Sequence, residues 1–481
     1  MAASTSSNNP LRNIVFYTLT ILTLLLTIVN AWGVLDFINV APKKGSSKIL
    51  KQPSDMDAQL LEKQAKIVIG GINFFNKNSI NQDPTQMKGM ANLIQSQYLE
   101  GMFSKEALPE GIFAKMGRAS LRSRVVLRNW FALDQDKALE ELKLRQDKNA
   151  QPVDQLLIES IENPTKIFTE EERKLVQEKM KWMGNLYLQK NFKAGNSSPE
   201  FEESLNKGFT KFVIGAAFLS IFALSSVTIF SISVFQYLRD KFNARFVPLN
   251  NSAHLLEIFC VYMAIMLSGS LIVKLLVVHL GLKPDLKIQV PIIVSSLLAI
   301  FFPLLSGMNF KTIREDLGLT LDGWGKALRD ATTTPLLYVG IWTPFFIVLL
   351  IYASILSALK LDISQGGHPI VPILTQAPDN FKIALIFFLA VVCAPIIEEI
   401  MFRGALYGWL RTRSSAAASV VISSLIFAAV HPQGPIGMVP LTMIGMFLAV
   451  LREWRGGLLA PMIAHACVNC GTLVMVLFIF R

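Results

Sequence analysis

Apolar runs recur along this chain at lengths that few folds can accommodate. A run of about 18 residues or more can cross the ~30 Å of bilayer hydrocarbon. Inside hydrocarbon the backbone must satisfy its own polar groups, as a helix or as a closed barrel. These runs are continuous rather than alternating, so they predict helices. Candidate spans are Ile14–Leu35, Phe212–Leu238, Leu255–Leu280, Ile288–Met308, Thr334–Leu359, Phe381–Leu410, Ala416–His431, Ile436–Leu451 and Gly457–Phe480. A chain that is 52% hydrophobic and 17% charged, with mean hydropathy +0.43, is neither disordered nor an ordinary soluble globule. The sequence therefore reads as an all-α polytopic membrane protein of about nine transmembrane helices.

Composition divides the chain further. Residues 1–35 read as a membrane anchor, with Val29-Asn30-Ala31 offering a signal-peptide reading as the alternative. Residues 36–211 carry charges of both signs and read as a mainly helical soluble insertion after the first span. Segments such as Asp134–Arg145 and Glu170–Leu186 have apolar residues at helical spacing, and Ser54-Asp55 and Thr169 with Glu172 read as helix starts. This insertion has no cysteine or histidine and reads as a docking or spacer domain. Residues 212–308 form a first group of spans, and 309–481 hold the polar residues considered below.

The net charge of +11 reads as loop charge that orients spans and meets anionic lipid. No basic stretch interleaved with aromatics calls for nucleic acid. Loops with Arg239, Lys241 and Arg245, with Lys311, Arg314, Lys326 and Arg329, with Arg411 and Arg413, and with Arg452 and Arg455 alternate along the chain. Placing them in the cytoplasm puts residues 36–211 outside, in a plasma or inner membrane. Lys43, Lys44, Lys48 and Lys51 oppose this, but long domains follow the rule weakly. Cys260, Cys393, Cys467 and Cys470 lie within apolar runs and form no disulfide framework. Nothing in the pattern sets an oligomeric state.

Ionisable groups inside spans are costly, and so are functional candidates. The last hundred residues concentrate them: Glu398, Glu399 and Arg403 in one span, His431 ending the next, His465 and Asn469 in the last. Glu399 and Arg403 are four apart and share a helix face, where they can pair. Glu398 is turned about 100° away and faces something else. Phe427 with His431, and His465 with Asn469, are also four apart. At ~1.5 Å per residue, Glu398, His431 and Asn469 lie roughly 21–25 Å from turns on one side of the membrane, and His465 about 15 Å. Carboxylate, imidazole and amide therefore reach similar depth from three helices. Pro395 and Pro461 each loosen the backbone about one turn before Glu398 and His465. Pro432, Gly434 and Pro435 mark a turn. His254, His279 and His368 sit at span ends and read as interfacial.

The chemistry these groups permit is water activation. A carboxylate held away from bulk water is a better proton acceptor than a solvated one, and an imidazole can share the water it deprotonates. A second imidazole and an amide can donate to the oxyanion of a tetrahedral intermediate.

Three ordered motifs carry a family resemblance: Glu398-Glu399-Ile-Met-Phe-Arg403, Phe427-Ala-Ala-Val-His431 and His465-Ala-Cys-Val-Asn469. They resemble the EExxxR, FxxxH and HxxxN/D signatures of the CPBP intramembrane proteases, which include the type II CAAX prenyl endopeptidases and the bacterial Abi proteins. The stretch from Arg314 to Gly323-Trp324 is similar to that family's lead-in, so the resemblance covers roughly residues 310–475. It implies that Glu398, helped by His431, activates water, and that His465 and Asn469 stabilise the oxyanion. It implies support from Glu399 and Arg403, while Phe427 reads as packing. It implies an intramembrane endopeptidase of glutamic type, without a cofactor, acting on a membrane-associated or lipidated protein or peptide. The insertion at 36–211 is not part of the shared core and leaves the substrate open. Zinc held by the two histidines and a glutamate is one rival, although there is no HExxH and Asn469 is a poor zinc ligand. A non-catalytic scaffold or a transporter is another, although no internal repeat between the halves supports transport.

Overall fold

A computed structural model of the chain describes residues 56–78, 118–130, 139–144, 151–163, 166–192, 199–239, 243–250, 252–280, 294–320, 323–359, 380–431 and 434–480, with five positions between 18 and 26. The first span, Ile14–Leu35, lies almost wholly outside the described residues. Among the described residues all regular structure is helical. Two compact units are present: Pro42–Ser220 with Phe480, and Met1–Ala41 with Ile221–Ile479 and Arg481.

In the first of these, α1 (Met56–Asn78), α2 (Arg118–Trp130), α3 (Pro152–Glu162), α4 (Glu170–Phe192) and the start of α5 (Pro199–Leu238) share one core. Ala65, Leu127, Leu157 and Leu186 are fully buried in it, and Trp182 stacks on Phe201 with ring centroids 5.3 Å apart. α4 begins where Thr169 and Glu172 were read as a start. Thr169 N–H donates to Glu172 Oε2 at 2.8 Å, and Glu172 N–H to Thr169 Oγ1 at 3.2 Å. This reciprocal capping box satisfies two of the donors that every helix start leaves unpaired. α4 then kinks at Lys181 (φ 52°) before reaching Phe192. Asp154, without solvent exposure, accepts from Arg118 Nη1 at 2.6 Å and Arg122 Nε at 2.5 Å, which joins α3 to α2.

Among the described residues six helices are long and apolar enough to cross a membrane: Glu200–Leu238, Ala253–Val273, Trp324–Leu356, Asn380–Arg411, Gly437–Arg455 and Leu459–Phe478. The chain is an integral membrane protein. Outward apolar side chains such as Phe218, Ile221, Leu224 and Leu350 are more than half exposed, as lipid-facing positions should be.

Several expected boundaries shift. The expected break at residue 211 falls inside α5, which runs unbroken from Pro199 to Leu238. Of the expected span Ile288–Met308, residues 288–293 lie outside the described residues, and Ser296–Ser306 is a 3₁₀ helix. The expected Ala416–His431 is a 14-residue helix, α10 (Ala416–Ala429), after α6 (Ala253–Leu280), α7 (Phe310–Leu317), α8 (Trp324–Ala358) and α9 (Asn380–Arg411). The expected Ile436–Leu451 is longer at both ends, α11 (Gly434–Arg455), and α12 is Leu459–Phe480. Gly434 and Pro435 open that helix instead of forming a turn, since proline suits the first helical turn. Its far end continues through Arg452 and Arg455, since Arg455 pairs with Asp330 and Arg452 bonds backbone carbonyls, so neither needs solvent.

Asp154→Ala is expected to destabilise the α1–α5 unit by about 3–5 kcal/mol, because it removes the carboxylate that faces the buried Arg122 guanidinium. Thr169→Ala should cost about 1 kcal/mol. Hydrogen exchange on the full-length protein, read at α2–α4, checks both.

Candidate functional site

α9 sets the geometry. It alternates in pitch: an α turn with Glu398 and Glu399 (Ala394–Glu399) lies between two π-helical segments, Leu389–Cys393 and Ile400–Leu406. Ala394 N–H reaches back five residues to Leu389 O, and Tyr407 N–H five residues to Phe402 O. Where five-residue pairing returns to four-residue pairing, one carbonyl is passed over. In the first segment Pro395 has no N–H to give, and Ala390 O accepts instead from Asn469 Nδ2 of α12 at 2.7 Å.

The two carboxylates then diverge, as the 100° offset requires. Glu399 is fully buried; its Oε1 accepts from Arg403 Nη1 at 3.0 Å and from His465 Nδ1 at 2.8 Å. Arg403 Nη2 also donates to Gly445 O of α11 at 3.1 Å, and its guanidinium lies 4.5 Å from the Phe427 ring centroid. Glu398 keeps 23% of its side chain exposed and His431 keeps 21%. Glu398 Oε2 stands 3.8 Å from His431 Nε2 and 3.8 Å from His465 Nε2. Among the described residues, Glu398 Oε2 is buried without a direct hydrogen-bond partner.

Hydrogen-bond partners fix the ring tautomers. His431 Nδ1 lies 2.6 Å from Phe427 O and His465 Nδ1 faces Glu399 Oε1, both acceptors, so each Nδ1 carries the proton. In the neutral rings both Nε2 atoms are then acceptors. They meet a third acceptor, Glu398 Oε2, at separations too long for a direct hydrogen bond. Three acceptors converging in this way suit a small molecule with two protons to donate, which is water.

Six of the residues singled out in the three motifs, Glu398, Glu399, Arg403, Phe427, His431 and His465, are in contact or within 3.8 Å of one another in a connected cluster. Phe427 is the wall between them: its ring centroid lies 4.5 Å from His431, 5.9 Å from His465 and 5.1 Å from Phe402. Asn469 spends one of its two N–H groups on Ala390 O. The remaining histidines stay apart. His254, expected at the interface, is buried with Nε2 3.0 Å from Asp316 Oδ2; the side chains of His279 and His368 lie outside the described residues. Among the described residues no group of three or more His, Cys, Asp or Glu is arranged to hold a metal ion.

Spacing did not reveal a clamp beneath the site. Glu453 of α11 accepts from Tyr407 Oη at 2.6 Å and from Arg411 Nε and Nη2 at 3.0 and 2.9 Å. Arg452 and Arg455, counted above as loop charges, are buried. The one available signal was a density of charge, Arg452-Glu453-Trp454-Arg455, that a simple loop does not need.

This is a polytopic helical membrane protein with a carboxylate–imidazole site built from α9, α10 and α12. Residues 380–471 match the family model described as type II CAAX prenyl endopeptidase Rce1-like. An Escherichia coli protein described as an uncharacterized 24.3 kDa protein is 33% identical over 92 residues, 18% of this chain and 41% of that protein. The chain thus spans less than half the length of the curated relative it matches. No solved structure matches the chain.

Removing either side of the buried pair should be far more damaging than altering Glu398. Arg403→Met is expected to destabilise the protein by about 3–5 kcal/mol, leaving Glu399 uncompensated. Glu398→Gln, which keeps the side chain's shape and leaves the Glu399–Arg403 pair intact, should cost no more than about 1 kcal/mol. Thermal unfolding in detergent distinguishes them.

Proposed function

We propose that this protein is an intramembrane endopeptidase of glutamic type, hydrolysing a peptide bond of a membrane-associated or lipidated protein or peptide. The observation that carries the reading is the convergence of Glu398 Oε2 with both histidine Nε2 atoms at 3.8 Å, the spacing a bridging water fills. The family match at residues 380–471 supports the same class of reaction.

In this mechanism water donates to Glu398 and to His431 and attacks the scissile carbonyl carbon. Its proton passes to Glu398, so the C–O bond forms as the carboxylate becomes an acid. The carbonyl oxygen becomes an oxyanion and receives hydrogen bonds from the second N–H of Asn469 and from His465. Donation from His465 Nε2 requires the ring to hold a second proton, because Nδ1–H is already given to Glu399. The proton on Glu398 then goes to the leaving nitrogen as the C–N bond breaks. Glu399 and Arg403 hold the site and do not exchange protons with substrate. The proposed orientation places the charged ends of α9 and α11 in the cytoplasm and residues 36–211 outside, where they can recruit substrate.

A zinc-dependent reading has one observation in its favour. Each Nδ1 is tied to a carbonyl or carboxylate, the arrangement that also orients metal-binding histidines. Glu398, His431 and His465 are the residues zinc would need, but among the described residues they are not arranged to hold a metal ion.

Purified protein with quenched membrane-anchored peptides, one of them farnesylated, separates these readings. Cleavage that persists in chelator and falls about a hundredfold or more in Glu398→Gln is the expected result. Activity lost to chelation and restored by zinc would move the site to metal chemistry. Wild type no more active than Glu398→Gln on every peptide would overturn the protease reading for these substrates.

A further inference from the structure

We propose that Arg452 is a positioning residue for this reaction, holding the Glu398–Glu399 turn in register through the main chain of Arg403. Its consequence for catalysis rests on the protease reading; its contacts do not. The second π segment of α9 passes over one carbonyl. Tyr407 N–H takes Phe402 O, and because α pitch resumes at Tyr407, a four-residue bond counted from Gly408 falls on Gly404. The carbonyl skipped by this count is Arg403 O, and Arg452 Nε donates to it at 3.2 Å. The arrangement mirrors the one at the first π segment, where Asn469 takes Ala390 O. Glu398 and Glu399 thus lie on an α turn flanked by two π segments, each with a carbonyl bonded by a side chain from another helix.

The rest of the Arg452 guanidinium is committed to backbone. Nη2 donates to Leu317 O at 3.2 Å, and Nη1 donates to Gly456 O. Leu317 ends α7, whose Gly318 (φ 80°) and Leu319 N–H groups turn back onto Glu315 O and Arg314 O at 2.9 Å. That end leaves the last carbonyl of α7 pointing onward, and Arg452 satisfies it. The side chain is 2% exposed, so its charge is withdrawn from water to bond carbonyls on α7, α9 and its own helix end. A surface arginine retained only for orientation in the membrane would not be spent in this way. Arg403 is the residue whose side chain neutralises Glu399, so fixing its carbonyl fixes the base of the Glu399–Arg403–His465 chain.

The test uses full-length protein in detergent carrying Arg452→Gln, Arg452→Lys or Gly318→Ala. The last leaves Arg452 in place, but a Cβ at Gly318 would collide with its guanidinium. On a peptide that wild type cleaves, Arg452→Gln and Gly318→Ala should lower kcat by about ten- to a hundredfold with KM little changed, the signature of misplacement rather than lost binding. Arg452→Lys, keeping one cationic donor, should recover part of the loss. Hydrogen exchange should quicken across residues 394–411 and stay unchanged across α10. Should Arg452→Gln fail to fold, the other two variants are read by the same criteria. Retained kcat in the folded variants, even with lowered thermal stability, overturns the proposal. A wild type no more active than Glu398→Gln defeats the protease reading instead. Exchange at 394–411 then decides the positional claim: acceleration upholds the hold on the turn, and unchanged exchange overturns it.

Discussion

One buried negative charge organises the membrane unit. The Glu399 carboxylate is withdrawn from solvent, a step that costs several kcal/mol unless opposing charge and hydrogen bonds offset it. Arg403 supplies the charge from the same helix, and His465 supplies a donor from α12. Arg403 in turn reaches Gly445 O in α11 and lies against Phe427 in α10. A single carboxylate therefore ties four helices together. It also dictates which nitrogen of His465 carries a proton, and hence what the opposite nitrogen offers to Glu398.

Around that charge the unit is divided between groups that hold and groups that stay open. Glu399 and Arg403 are sealed, and edge-to-face contacts of Phe402 with Phe259 and Phe427, at 5.5 and 5.1 Å, close the space beneath them. Glu398 and His431 keep about a fifth of their surface. Adjacent glutamates in one helix thus have different environments because a helix turns about 100° between them.

Local spacing made part of this legible. The four-residue intervals of Glu399–Arg403, Phe427–His431 and His465–Asn469 gave shared faces, and the Thr169/Glu172 pattern marked the start of α4. What remained hidden depends on partners distant in sequence. Arg452 and Arg455 resemble loop charges until Arg403 O, Leu317 O and Asp330 are seen beside them. Asn469 reads as a donor for substrate, yet one N–H belongs to a carbonyl 79 residues earlier. His254 looked interfacial because its partner, Asp316, lies on α7. The π segments have no residue signature of their own; Pro395 hints at the first, and nothing in 400–406 announces the second.

Those two segments give α9 an internal phase adjustment. Each wider turn amounts to one residue inserted into an otherwise ordinary helix, and one residue corresponds to about 100° of rotation. The stretch before Ala394, the carboxylate turn, and the stretch from Tyr407 onward therefore follow three settings of residue number against helix face. A single-residue deletion within 400–406 could leave the helix intact and its length nearly unchanged. It would also leave the facing of Glu398 and Glu399 relative to the Tyr407–Arg411 anchor on Glu453 nearly unchanged, because about five residues of π turn cover the rotation of about four residues of α turn. Along this helix, aligned positions are comparable only within one setting, and a gap placed one residue astray misassigns every face beyond it.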